Sequence, residues 1–181
     1  MKFFGGIHER AHKYFLMTVK MFQLKSTKES DFEYHSEEAN DSTWRFKFLI
    51  NRNFISRVYK LSVSYEISES SDNIFPETIS WNFLKKEWQP KGQSTSYCQL
   101  LNQHKQLKKI VQAVDYESIE IGQVGGKYQI TMVPIPGSYV FILLPPLQYF
   151  VKMKNEEMIK IKELAYKVQE TIIDYQKKTA G

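Results

Sequence analysis

The sequence predicts an α+β protein: a single curved, mainly antiparallel sheet of about six strands with three helices, in the order α-βββ-α-βββ-α. Three observations carry this prediction. Apolar residues recur at helical spacing in three segments and at strand-like spacing in six others. Gly125-Gly126 separates two of the strand segments, and both residues accept the positive φ of a tight hairpin turn. The run Val133–Lys154 (VPIPGSYVFILLPPLQYFVKMK) is the most apolar in the chain and holds four of its six prolines. Within it, Tyr139–Leu144 is apolar at every position and bounded by Pro134, Pro136 and Gly137 on one side and Pro145 and Pro146 on the other. Prolines exclude a helix there, so the segment is expected as a central strand covered on both faces.

The elements follow in order. Residues 6–25 read as a helix, because Phe4, Ile7, Ala11, Phe15, Val19 and Phe22 form one stripe while Glu9, Arg10, Lys13 and Lys20 lie off it. Residues 25–43 carry Glu29, Asp31, Glu33, Glu37, Glu38 and Asp41 and few apolar residues, and read as a mobile surface loop with at most a short strand around Phe32–Tyr34. Trp44, Phe46, Phe48 and Ile50 alternate with Arg45 and Lys47, and Tyr59, Leu61, Val63, Tyr65 and Ile67 alternate with polar residues. These two runs are expected to pair across a turn at Asn51-Arg52-Asn53. A polar loop, Ser68–Asn73, precedes a third strand at Ile79, Trp81 and Phe83.

A second helix is expected to start at Ser94, Thr95 or Ser96 and to bury Tyr97, Leu101, His104, Leu107, Val111 and Val114. Strands at Ser118–Val124 and Tyr128–Val133 lead into the central run, with a short last strand within Leu147–Met153. The C-terminal helix, 156–177, has Asn155 as its cap and Glu156 and Glu157 at the positive end of its dipole. Its stripe of Met158, Ile161, Ala165, Val168, Ile172 and Tyr175 is spaced to pack on the sheet or, as in a coiled-coil seam, on a second copy. The chain is read as one domain, 1–181. The segments 1–90 and 91–154 share the order helix then three strands, which suggests a duplication that no residue-level repeat supports.

Bulk properties narrow the function classes. The net charge is +5, divided unevenly: residues 1–90 carry 13 basic and 12 acidic side chains, residues 91–181 carry 12 and 8. That surplus serves solubility and does not demand nucleic acid. The single Cys98 cannot form an internal disulfide and reads as a buried free thiol in a reducing compartment. The N-terminus lacks the apolar core of a signal peptide, and no run reaches membrane-spanning length, so a cytoplasmic protein is expected. The amphipathic first helix has the character of an interfacial helix, but docking on the sheet uses the same stripe.

His8-Glu9-Arg10-Ala11-His12 is the sharpest chemical motif. On a helix, residues i and i+4 share a face, so His8 and His12 could ligate zinc while Glu9 activates water. Over these five residues alone it resembles the zincin metalloprotease motif. No Gly and His follow at metzincin spacing, and the nearest further carboxylates lie in the acidic loop. The ordinary reading is an exposed helical turn with Glu9 and Lys13 as an i,i+4 pair. His104 reads as a satisfied core histidine, and His35 has no partner at a recognisable spacing. A phosphate loop, a nucleophile elbow and a Cys-x-x-Cys pair are all absent from the sequence.

Arg45, Lys47, Arg52 and Arg57 cluster on the first hairpin beside Trp44, Phe46 and Tyr59, the ingredients of a single-strand nucleic-acid surface. On Trp44–Ile50, however, cations and aromatics alternate and must face opposite sides. The reading that remains is a non-enzymatic intracellular binding protein without a cofactor, taking a protein partner, which a homodimer would supply from a second copy, or an apolar small molecule. A zinc-dependent hydrolase using His8, His12 and Glu9, and a nucleic-acid-binding module using the four cations, are the alternatives.

Overall fold

The computed structural model describes residues 5–38, 41–67, 78–92 and 96–179. Its elements are α1 (Gly5–Met21), β1 (Thr27–Ser30), β2 (Glu33–Glu37), β3 (Thr43–Arg52), β4 (Ser56–Ile67), β5 (Ile79–Asn82), β6 (Glu87–Pro90), α2 (Ser96–Gln103), α3 (Lys105–Val111), β7 (Tyr116–Val124), β8 (Lys127–Pro134), β9 (Tyr139–Ile142), β10 (Leu147–Phe150) and α4 (Asn155–Thr179). The class is α+β and every strand pairing is antiparallel. Among the described residues the sheet has ten strands rather than about six, and there are four helices rather than three. Its order is β1-β2-β3-β4-β8-β7-β5-β6, with β9 also against β4 and β10 beyond β9.

Pleat parity divides the sheet into two unlike faces. Trp44, Phe46 and Phe48 of β3 lie opposite Tyr65, Val63 and Leu61 of β4, and the row continues through Ile130 and Met132 of β8 to Ile121 and Ile119 of β7. All of these side chains are buried. The helices cover this face. Phe15 and Phe22 of α1 meet Phe48 and Phe46, with ring centroids 4.6 and 4.8 Å apart, and Tyr166 of α4 meets the edges of Trp44 and Tyr65. Fully burying a large apolar side chain stabilises by about 1.5–3 kcal/mol, so this aromatic layer outweighs the exposed ion pairs elsewhere. The opposite face carries no helix among the described residues. There Lys60 pairs with Glu117 at 2.6 Å, Lys91 with Glu120 at 2.6 Å and Lys127 with Glu66 at 2.8 Å.

β4 is paired along both edges, but its second edge is shared. It pairs with β8 from Val63 to Ile67 and with β9 from Ser56 to Tyr59. Between these stretches Lys60–Ser62 faces Val133–Ser138, three residues against six. Past Pro134, which still pairs with Tyr116 of β7, the chain leaves the sheet as Ile135-Pro136-Gly137, where Ile135 N donates to Asp115 O at 2.8 Å and Gly137 N to Val151 O at 2.6 Å, while Leu61 N donates to Ser138 Oγ at 3.3 Å. Gly137 has φ 89°, and a Cβ there would lie 2.7 Å from Leu61 Cδ2 and 3.1 Å from Thr18 Cγ2 of α1. A glycine is required for both reasons.

Several sequence expectations are corrected. The acidic stretch is no loop: β1 and β2 form a hairpin added to β3, with Glu29 bound to Arg45 at 2.9 Å and Glu33 to Lys47 at 3.3 Å. Carboxylates that looked like loop composition are cross-strand partners for the cations of β3. The third strand continues into a second one, β6, with Phe83 exposed in the intervening turn; Pro90 is tolerated because β6 is an edge.

The second helix is broken in two at His104, whose φ of −80° and ψ of 88° are non-helical and whose Nδ1 accepts from Leu107 N at 3.3 Å as the cap of α3. The central run is covered on one face only: Tyr139 and Phe141 are buried, Val140 and Ile142 are half-buried and Leu144 is exposed. α4 begins one residue earlier than expected, at Asn155 itself, so Asn155 is its first residue rather than its cap; Glu157 reaches back to accept from Lys154 N at 2.6 Å. Phe4, Ser94, Thr95 and the Ser68–Asn73 loop lie outside the described residues.

Gly126 also has positive φ, 84°, yet nothing lies within 4 Å of a Cβ built there. Gly126→Ala is therefore expected to cost about 1 kcal/mol from backbone strain alone, whereas Gly137→Ala adds steric overlap and should cost about 2–4 kcal/mol. Urea denaturation of both variants checks this; equal losses would mean that Leu61 and α1 yield freely.

Candidate functional site

Four sets of residues carry chemistry worth weighing. The first lies at the N-terminal part of α1, where His8, Glu9 and His12 share a cleft with Ser30, Asp31 and Phe32 of the β1–β2 turn. The two imidazoles flank Phe32: His8 sits 5.5 Å from its ring and 5.8 Å from that of Tyr59, and His12 meets the Phe32 edge at 6.0 Å. His12 Nε2 is buried without a hydrogen-bond partner among the described residues. Burial, then the charges of Arg52 and Arg57, hold the His8 imidazolium below its ordinary range. Among the described residues no three His, Cys, Asp or Glu side chains come together in a way that could hold a metal ion. Two imidazoles against an aromatic ring, without a third donor, do not make the closed or three-ligand set that zinc takes.

The second set is the four cations singled out on the first hairpin, and the structure divides it. Arg45 and Lys47 project from the open face, where Glu29 and Glu33 neutralise them. Arg52 and Arg57 are register partners on the helix-covered side, at the end of the sheet beyond Ile50 and Tyr59. They do not form one basic strip with Arg45 and Lys47. His35, also on β2, lies 2.8 Å from the same Glu29 carboxylate.

A third set is polar and half-buried, where α4 meets the sheet. Glu38 accepts from Tyr166 Oη at 2.7 Å, Trp44 Nε1 at 3.1 Å and Tyr65 Oη at 3.3 Å. Tyr65 has one proton and a second acceptor, Gln169 Oε1, at 2.9 Å. Burial first, and then the Glu38 hydrogen bond, pushes the Tyr166 hydroxyl well above the usual tyrosine range. This arrangement clamps α4 to the sheet.

The fourth feature is a groove of about 760 Å³ beside α4, walled by the C-terminal end of α1 and by α3. Ile159 and Tyr166 supply most of its apolar surface, with the buried Phe22 and Met158 at its floor; Lys162, Glu163, Lys167 and Glu170 rim it. Lys162 Nζ donates to Phe22 O at 3.4 Å and Lys167 pairs with Glu170 at 2.6 Å, so the rim is polar but nearly neutral. The buried stripe of α4 is consumed by its own sheet, while Ile159 remains 55% exposed and Tyr166 38% exposed on the other side. Sequence reasoning missed this surface. The available signal was Ile159 and Tyr166, two apolar residues seven apart and outside the main stripe.

Because the fold favours the neutral form of His8, the stability linked to it is complete above the unfolded value near 6.5 and is lost as pH falls below that value toward the lower folded one. His8→Gln is expected to flatten the pH dependence of stability in that window, as measured by urea denaturation. NMR titration should show Arg52→Gln and Arg57→Gln each raising the His8 value without restoring it fully, since burial is the larger cause.

No curated protein and no solved structure matches the chain. Residues 6–172 match the family described as protein of unknown function (DUF3156), a span reaching from the first turn of α1 to the last turns of α4. It takes in the strands of the sheet and most of the groove-bearing helix, and on that extent the chain belongs to the DUF3156 family.

Proposed function

We propose that this protein is a non-enzymatic binding protein, which takes a protein segment or an apolar small molecule into the groove beside α4. The observation that carries the reading is the groove itself. Its volume of about 760 Å³ falls within the range of ligand sites. Its surface is apolar where Met158, Ile159 and Tyr166 meet, and each charged group of its rim has a partner: Lys162 donates to Phe22 O, Glu163 pairs with Lys160 and Lys167 pairs with Glu170. Such a surface favours an apolar occupant over a charged one, because a charged ligand would surrender its hydration without finding an unpaired partner.

The groove is also built on firm ground. The Glu38 clamp and the Trp44–Tyr166 contact hold one wall, and Phe22 at the end of α1 holds another. Support of this kind lowers the ordering cost of binding. A cytoplasmic setting belongs to the same proposal: Cys98 is a buried free thiol whose Sγ lies 3.3 Å from Trp88 O, as suits a reducing compartment. No helix among the described residues is long and apolar enough to cross a membrane.

Nile red, a neutral apolar dye, should bind saturably with a blue-shifted emission. Ile159→Asp is expected to weaken that binding at least about tenfold, because it places a charge on the apolar surface, while far-UV circular dichroism shows α4 intact. Dye binding indifferent to Ile159→Asp would remove the groove from the proposal. Elemental analysis of the purified protein should find no stoichiometric zinc; one zinc per chain, lost in His8→Ala, would replace this reading with the hydrolase.

A further inference from the structure

We propose that the end of the sheet where the β3–β4 and β9–β10 hairpins turn is a docking surface for an anionic lipid bilayer. The two turns lie side by side. β4 and β9 pair down to Ser56 and Ile142, and Leu143 N then donates to Ile55 O at 2.7 Å, joining the tips directly. What these turns present is unusual for turns. Phe54 is 95% exposed and Leu144 69% exposed, and Ile55 and Leu147 stand beside them. The Asn53 side chain fixes the first tip, its Oδ1 accepting from Ser56 N at 2.6 Å and Ile55 N at 3.1 Å. The aromatic side chain is thus held out by a formed turn. Single exposed apolar residues need no explanation, but a group of four on two joined tips does.

The charge behind the tips decides the occupant. Arg52 and Arg57 stand opposite each other where the first hairpin meets its turn, a like-charge pairing that a strand pair ordinarily avoids. Their field reaches His8 on α1, where it outweighs that of the Asp31 carboxylate, and Arg10 acts on Tyr139 of β9. Between Leu49 and Lys60, and between Tyr139 and Lys154, the sequence contains no Asp or Glu. Apolar tips in front and cations one step behind match the layering of a bilayer surface. Aliphatic and aromatic groups enter the acyl boundary, guanidinium groups meet phosphate, and an exposed tyrosine such as Tyr149 on β10 sits at headgroup level.

The shape points the same way. The tips are convex, and the cleft between Arg52, Phe54, Arg57 and Phe141 holds only about 70 Å³, too little for a protein anchor or a nucleobase. A fluid interface adapts to a convex apolar tip without a preformed pocket. The surface lies at the N-terminal end of α1, whereas the groove beside α4 meets its C-terminal end at Phe22, so the two sites are separable.

The test is co-sedimentation of the full chain with vesicles of phosphatidylcholine alone or with about one-third phosphatidylserine. Binding is expected on the phosphatidylserine vesicles, weakening as salt rises. The double variant Phe54→Ser/Leu144→Ser should reduce it at least tenfold, and Arg52→Gln/Arg57→Gln should remove the preference for phosphatidylserine. Ile159→Asp should bind vesicles like the unaltered chain, which separates this surface from the groove. All these positions are exposed or at the sheet's end, and an unchanged thermal midpoint establishes that each variant is folded. Absence of binding, equal binding to neutral vesicles, or full binding by the tip variant would each overturn the proposal. So would competition by soluble glycerophosphoserine, which would mark a headgroup site, or a concentration-dependent dimer dissolved by the tip variant in sedimentation velocity, which would mark a contact between copies.

Discussion

Strand β4 needs more neighbours than a single partner supplies. It is the longest strand, with β3 along one edge; the other edge is completed by β8 and β9, two pieces of one chain path separated by an excursion. The excursion works only because Gly137 can turn with positive φ directly above Leu61 and beneath α1. A side chain there would push α1 away from the sheet, and with it Phe15 and Phe22, whose rings close the aromatic layer over β3. The position of α1 in turn sets one wall of the groove beside α4 and the cleft that holds His8 and His12.

One-sided cover is the second organising fact. A sheet with helices on a single face leaves the other to water, and this one meets water with cross-strand ion pairs rather than apolar side chains. Two groups of exposed apolar side chains stand out against it, one along the outer side of α4 and one at the paired hairpin tips. The first is concave and nearly neutral, the second convex and cationic. Those differences in shape and charge, more than apolarity itself, separate a site for an apolar ligand or protein segment from a surface suited to a membrane.

Legibility followed the strength of the periodic signal. The stripes of α1 and α4, the alternation of β3 and β4 and the Gly125-Gly126 turn could be read because each rests on neighbours within a few residues. The β1–β2 hairpin could not. Its carboxylates look like solvent-exposed loop until the cations of β3 are seen opposite them, a pairing that spans Glu29 to Arg45. His104 shows the same limit on a smaller scale. Its place in a helical stripe predicted a buried helical residue, but its ring served better as a cap for the next helix. Of the candidate site residues, His8, Glu9 and His12 do share a cleft, as helical spacing requires, while the four hairpin cations are parted by pleat parity and by the carboxylates of β1 and β2.

The linear chain determined the class of fold and many of the faces its helices and strands would bury, since each of these is a matter of residue type at short spacing. Tertiary structure alone decided that the apolar run near residue 140 would be covered on one side, that Arg52 and Arg57 would part company with Arg45 and Lys47, and that Ile159 and Tyr166 would border a groove. Those outcomes depend on which segments become neighbours. Neighbours far apart in sequence are chosen by the packing of the whole core, with no local preference to announce them.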